Sequence, residues 1–343
     1  MALGEFGARR LFMVTDPFFF ENGMAQAIAV KTGAEQIEYF YRIKPDPTVE
    51  LAAEGTAAVR RFQPDVIVAL GGGSAMDCAK AMVFFSGTQA KLIAIPTTSG
   101  SGSEVTDFAI LTHNGVKHPL VDGRLRPYAA ILDSDLLEKL PKTLIADGGF
   151  DVLSHALEAI VARNAGMVTD ALATEAFRTV YALLPASYGG QTQVRLDIHT
   201  AATMAGMAFN QAGLGLCHAM AHALGGAFHV PHGRLNAILL PAVIACNAHG
   251  AGEKYRNLVE AAGIGGSAQT IAVRNLKNAL VRLRRELNMP ATLAQAGVDP
   301  DEVHSRSREL VTAVLADPCC ETNPIRVEDF MVRRVLEEVT GRV

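Results

Sequence analysis

The segment DVIVAL (65–70) runs directly into Gly71-Gly72-Gly73-Ser74 and then into AMDCAKAMVFF. A run this continuously apolar reads as a strand covered on both faces, the pattern of a parallel sheet. Glycines between strand and helix let the backbone approach another group closely, and the following helix opens with free N–H groups and a partial positive charge. The surrounding sequence repeats the alternation. RLFMVT (10–15), IEYFYRI (37–43) and KLIAIP (91–96) read as further strands, with helices over 49–62 and after the glycines. Such alternation specifies a parallel sheet with right-handed crossovers.

From about Pro141 the strand signal stops. Helical periodicity covers 151–163, 169–184, 197–210, 214–225, 234–248, 252–262 and 268–287, with shorter helices to the end. The expected fold class is therefore α/β plus all-α. A Rossmann-like parallel-sheet domain spans 1–146 and a helical domain 147–343, without internal repeats. A net charge of −4 and no run of Lys or Arg longer than two leave no nucleic-acid footprint. The first residues carry Glu5 and no apolar h-region, so they do not read as a secretory signal. No stretch of 18 uncharged apolar residues suggests a membrane span. A small-molecule partner and a cytoplasmic location are expected. The five cysteines are odd in number and mostly lie in apolar helical pattern, which fits reduced thiols. Adjacent Cys319 and Cys320 would be strained as a disulfide.

Four residues read as one metal site. Asp151 and His155 are four apart in FDVLSHALEA, so a helix projects both from one face. His218 lies in GLCHAMAHALGG and His232 in VPHGRLNAILLP. A carboxylate with three imidazoles, and no thiolate, suits Fe²⁺ or Zn²⁺. Taken singly, each histidine also reads as a satisfied core or helix-face imidazole. His222 and His229 belong to the same cluster, and the spacing from His218 admits His222 as a ligand. His113, His118, His199, His249 and His304 sit in polar surroundings and need no special role.

The glycine loop is not GxGxxG, and no acidic residue follows at a strand end about twenty positions on, so the standard dinucleotide fingerprint is not met. A plain tight turn is the alternative. A second loop, PTTSGSGSEVT (96–106), offers the hydroxyls of Thr97, Thr98, Ser101 and Ser103 to a phosphate or ribose. Its alternative is a solvated surface loop. Two such loops at the ends of adjacent parallel strands address one crevice.

Together, GGGSxxD, PTTSGSGSEVT, the D-x-x-x-H helix, GLGLCHAMAHALGG, PHG, GEKYR (252–256) and the TNP around Asn323 resemble the iron-containing (group III) alcohol dehydrogenases over essentially the whole chain. GGGSAMDCAK and AGMAFNQAGLGL are most similar to the 1-propanol dehydrogenases of propanediol- and ethanolamine-utilisation systems. The resemblance implies a dehydroquinate synthase-like fold, with a dinucleotide-binding domain, a helical catalytic domain and the active site between them. Asp151, His155, His218 and His232 match the family's metal ligands. His222 matches a histidine beside the nicotinamide that does not bind metal. Gly72, Gly73, Ser74, Asp77, Thr97, Thr98 and Lys117 match cofactor-contacting positions, with Ser101 in the same loop. The implied activity is reversible hydride transfer between NAD(P)H and short-chain aldehydes such as propanal. The expected cofactors are Fe²⁺ (or Zn²⁺) and NAD or NADP, and the expected assembly is a homodimer, with bacterial microcompartment association open.

Two departures matter. The family's usual segment before the first strand, an edge hairpin often used in dimer contacts, is not seen. The NAD-selecting aspartate after the second strand appears as Tyr41-Arg42, which removes the repulsion of a 2′-phosphate. Rival readings are a zinc polyol (glycerol-type) dehydrogenase, a lyase on the same scaffold and a catalytically idle, shell-associated protein. The lyase needs several basic residues, whereas 150–163 and 204–234 offer only Arg163 and Arg234. Intact ligands argue against the idle protein.

Overall fold

A computed structural model describes residues 2–113 and 116–341. The chain forms two compact units, Met1–Lys139 and Leu140–Val343. The division precedes the expected one at 146/147, which would cut a helix. Asp147-Gly148-Gly149, where that boundary is expected, lies inside α5 (Lys142–Val161).

The first unit is built on five parallel strands, β1 (Arg10–Thr15), β2 (Gln36–Phe40), β3 (Val66–Gly71), β4 (Lys91–Pro96) and β7 (Ala129–Ala130), in the order β2-β1-β3-β4-β7. Met13 pairs with Tyr39 and Val68, and Val68 with Ile93. Strand alternation divides the core. Phe12, Val14, Ile67 and Ala69 pack on one face against α3 (Val49–Phe62) and α4 (Gly73–Ser86). Leu11, Met13, Val68 and Ile93 face the other way, onto α2 (Met24–Val30), which follows the short α1 (Pro17–Glu21). Every residue of β3 is buried, as its apolar run requires. The strand order reverses between β1 and β3, and ligands of open α/β sheets bind outside the carboxyl ends of strands at such a point.

Two details differ from expectation. β2 stops at Phe40, so Tyr41 to Ile43 lie beyond it. An antiparallel pair, β5 (Phe108–His113) and β6 (Val116–Val121), was not anticipated. Its sequence signal is the Asn114-Gly115 pair separating the two runs, the dipeptide most associated with two-residue hairpins.

Behind the glycine loop lies a fully buried lysine. Lys80 Nζ donates to Ser103 Oγ, Thr106 Oγ1 and the Phe108 carbonyl, each at 2.9 Å. Ser103 Oγ donates to Asp77 Oδ1 at 2.6 Å, and Asp77 Oδ2 accepts the Ile110 N–H at 3.0 Å. Residues 103–110 are thereby fastened along α4.

The second unit is helical: α5 is followed by α6 (Met167–Tyr188), α7 (Arg195–Ala212), α8 (Leu216–Phe228), α9 (His232–Ala261), α10 (Gln269–Glu286), α11 (Pro300–Ser305), α12 (Ser307–Ala316), α13 (Cys319–Thr322) and α14 (Asp329–Thr340). Nearly all of α5 from Ile145 onward is buried, against α6, α7 and α9. The segments 234–248 and 252–262 form one helix, not two. Gly250 and Gly252 suggest a break, but a Cβ at Gly250 would lie 2.3 Å from Ile325 Cγ2, and one at Gly252 3.1 Å from Gln269 Oε1. They are small because neighbours pass close. Pro241 lies inside α9 and cannot donate to Ala237; that carbonyl instead accepts Arg284 Nη1 of α10 at 3.1 Å. α9 is long and apolar enough by composition to cross a membrane, yet 72% of its most apolar window is buried within the protein.

Burial lowers the pKa of Lys80 from 10.5 to about 8, against the opposing pull of Asp77, Glu104 and Asp107. Between those values the folded lysine has released a proton that the unfolded one keeps, so its contribution to stability rises with pH. Lys80→Met leaves Asp77 without its cation and is expected to cost about 3–5 kcal/mol in urea unfolding near neutral pH. The wild-type minus variant difference should increase from pH 8 toward 10.5; a flat difference refutes this account.

Candidate metal centre and nucleotide loops

Asp151 and His155 project from one face of α5, His218 comes from the first turn of α8, and His232 is the first residue of α9. Asp151 Oδ1 is the hub. It lies 3.9 Å from His155 Nε2, 3.9 Å from His218 Nε2 and 3.6 Å from His232 Nε2. Donor atoms of Asp151, His155 and His218 all fall within 4.8 Å of one another. The rings of His155 and His218 stack at 4.5 Å, and those of His218 and His232 lie 5.2 Å apart. Asp151, His155 and His218 are buried, whereas the His232 side chain is 28% exposed, so the site opens on that side.

A buried carboxylate sets the chemistry of this cluster. Glu158, one turn beyond His155 on the same face of α5, accepts from His218 Nδ1 at 2.7 Å. It also accepts the N–H groups of Gly215 (3.0 Å), Cys217 (2.7 Å) and His218 (3.3 Å), capping α8. Burial raises its pKa to about 7, with those N–H groups opposing. Burial also pushes the His218 pKa well below its ordinary value. His218 is therefore a neutral imidazole with its proton on Nδ1, and its Nε2 lone pair faces Asp151. Asn236, one turn into α9, donates to Asp151 Oδ1 at 2.9 Å. The Asn323 side chain accepts the Leu216 N–H and exchanges hydrogen bonds with Asn247.

His222 is arranged differently. Its Nδ1 lies 2.9 Å from Asp317 Oδ2, and its ring stacks on His232 at 5.3 Å. Asp317 Oδ1 accepts the Cys319 N–H at 2.8 Å. Burial opposes ionisation of Asp317, but the His222 hydrogen bond and charge outweigh it and hold its pKa below the usual range. His229 is exposed and ends α8 in a left-handed conformation. Cys319 and Cys320 are free thiols.

In the first unit the two polar loops meet. Thr97 N–H donates to the Gly71 carbonyl at 2.9 Å. A Cβ on Gly72 would lie 3.2 Å from Thr98 Oγ1, and one on Gly73 3.0 Å from Ser101 Oγ. The N-terminus of α4, at Gly72, Gly73 and Ser74, has no side-chain cap. Asp77 is committed to Ser103 and Ile110. Lys117 pairs with Asp46 at 2.8 Å. Tyr41 stacks on Phe20 at 3.8 Å, and Arg42 pairs with Glu54 at 2.8 Å. The structure thus gathers the glycine and Thr98/Ser101 positions, while Lys117 and Tyr41 are engaged elsewhere in the same unit.

The iron-containing alcohol dehydrogenase pattern matches residues 1–134, and the C-terminal pattern of that family matches 145–340. This chain belongs to the iron-containing alcohol dehydrogenase family. It is 39% identical over 350 residues to a 1-propanol dehydrogenase of Salmonella typhimurium, covering 98% of this chain and 95% of the relative. An NADPH-dependent butanol dehydrogenase of Clostridium saccharobutylicum is 35% identical over 329 residues, covering 90% and 85%. The solved iron-containing alcohol dehydrogenase of Thermococcus thioreducens superposes with a TM-score of 0.91 at 31% identity, covering 99% and 96%. Membership makes the chain an NAD(P)-dependent oxidoreductase of small alcohols or aldehydes, with a metal and a nicotinamide cofactor.

The residues fit the implied metal. A divalent ion at about 2.1 Å from each donor in a tetrahedral array separates the donors by about 3.4 Å. The three separations at Asp151 Oδ1 are slightly wider, 3.6 to 3.9 Å; the Asp151, His155 and His218 donors form the tight part of the set, and His232 approaches Asp151 from the open side. Spacing alone did not reveal Glu158 or Asn236. The available signal was periodicity, because Asp147, Asp151, His155 and Glu158 recur at helical spacing on a mostly apolar helix. Glu158→Gln removes the acceptor charge that fixes His218 and is expected to weaken metal binding about 10–100-fold in competition with a chelator. Unchanged affinity would dissociate Glu158 from the site.

Proposed function

We propose that Asp151, His155, His218 and His232 together hold Fe²⁺, with Zn²⁺ an accepted substitute, in an enzyme that interconverts short-chain primary alcohols and aldehydes such as propanal. The observation that carries this reading is the convergence of three imidazole Nε2 atoms on one carboxylate oxygen within 3.9 Å. A divalent ion supplies Lewis acidity toward a substrate oxygen. The protein's own residues do the rest. Glu158 holds the His218 tautomer, and Asn236 orients Asp151. His222, steadied through Nδ1 by Asp317, takes up the alcohol proton during oxidation and returns it during reduction. A bound nicotinamide would supply the hydride chemistry, and the protein's part would be to position it.

The cofactor reading rests on the loops. The uncapped start of α4 at Gly72, Gly73 and Ser74 binds the pyrophosphate. Thr97, Thr98 and Ser101 supply hydroxyls from the neighbouring loop; Asp77, Lys117 and Tyr41 enter this reading through the family resemblance. Tyr41-Arg42 replaces an acid that would repel a 2′-phosphate, so NADPH is accepted, as the name of the butanol dehydrogenase relative states for that protein. We read the enzyme as a cytoplasmic homodimer. The 1-propanol dehydrogenase likeness raises placement within a bacterial microcompartment.

Anaerobic assays with Fe²⁺ or Zn²⁺, NADH or NADPH and C2–C4 aldehydes test this reading. His218→Ala is expected to lose metal and turnover together. His222→Ala should keep the metal and lose about 10²–10⁴ in turnover. Loss of metal from the His222 variant overturns the assigned roles.

A further inference from the structure

His222, Asp317 and Cys319 form a second set of donors outside the primary four. One ligand atom from each lies within 4.8 Å of the other two. The set is partly open: the side chains of His222 and Asp317 are 22% and 15% exposed. Its composition differs in kind from the Asp151 cluster because it contains sulfur. One imidazole, one carboxylate and one thiol suit a borderline-soft divalent ion such as Zn²⁺, with a fourth position left for solvent. The Asp317 carboxylate and the first residue of α13 come from one short turn, and His222 from the middle of α8, so no large rearrangement is needed.

We propose that His222, Asp317 and Cys319 bind a second divalent ion of the zinc type, and that its binding inhibits the enzyme. The thiol releases its proton to solvent as the sulfur coordinates, because a coordinating thiol is deprotonated outright. The imidazole recruited is the one that handles the alcohol proton, so occupancy removes that function while the primary ion stays bound. The inhibitory half of this inference rests on the role given to His222 above; the binding half does not.

Protein carrying one equivalent of its divalent metal is titrated anaerobically with Co²⁺. A second equivalent should bind with a thiolate-to-cobalt charge-transfer band in the near ultraviolet, which the sulfur-free primary set cannot produce, and turnover should fall in parallel. Cys319→Ser should keep the first equivalent and its turnover but lose the band and the inhibition, whereas Cys320→Ser should keep both. A second measurement needs no variant: excess Zn²⁺ should slow alkylation of Cys319 and leave that of Cys320 unchanged. No band in the wild type, a band persisting in Cys319→Ser, or unprotected Cys319 overturns the site. Failure to bind the first equivalent, or absence of turnover before titration, is instead the failure of the function proposed above.

Discussion

The helical unit's chemistry depends on one buried carboxylate. Among the described residues Glu158 pairs with no Lys or Arg, and an ionised carboxylate taken out of water is ordinarily prohibitive. It is sustained by three backbone N–H groups at the start of α8, where the helix dipole is positive, and by the His218 ring. One group therefore fixes where α8 begins and which nitrogen of His218 carries the proton. Asp151, His155 and Glu158 share a face of α5, so two donors and the holder of a third inherit their spacing from a single rigid helix.

The α/β unit uses the opposite charge for a related purpose. Lys80 lies behind the glycine loop with every donor occupied, and it joins α4 to the segment that continues the Thr97–Ser101 loop. Asp77 belongs to the same arrangement: its two oxygens hold Ser103 and the Ile110 N–H. This gives Asp77 a clear structural task beside the cofactor contact that family resemblance implies. The loops in front can then remain rich in glycine and serine without losing their shape, because the stiffness is supplied from behind.

Much of this was legible in the sequence, and what was not has a common cause. The parallel strands were plain because β3 is apolar at every position from Val66 to Leu70. The Asp151/His155 spacing was plain because helix geometry is local. Glu158, Asn236, Lys80 and Asp317 were not singled out, since each has its meaning through partners far away in sequence: His218, Asp151, Ser103 and His222. Glycine misled twice in the same way. Asp147-Gly148-Gly149 and Gly250-Ala251-Gly252 looked like interruptions because glycine weakens an isolated helix. Inside a packed unit the missing side chain admits a neighbour, and the helix continues.

The continuity of α9 bears directly on the site. His232 is its first residue, and the first turn is held against α5 at Asp147, where Arg234 forms an ion pair at 2.9 Å. A Cβ on Gly233 would stand 2.0 Å from the Asp147 carbonyl oxygen, so only glycine lets the helices approach this closely. Asp147 lies one turn before Asp151, which means α5 fixes the most exposed donor through α9 as well as the two it carries itself. Arg284 satisfies the carbonyl that Pro241 leaves without its N–H partner, and the helix runs on to Ala261 in the packed interior. Had α9 broken at its proline, His232 would be anchored by about two and a half turns of helix. Because it does not, the donor at the mouth of the site is tied to the core of the whole unit.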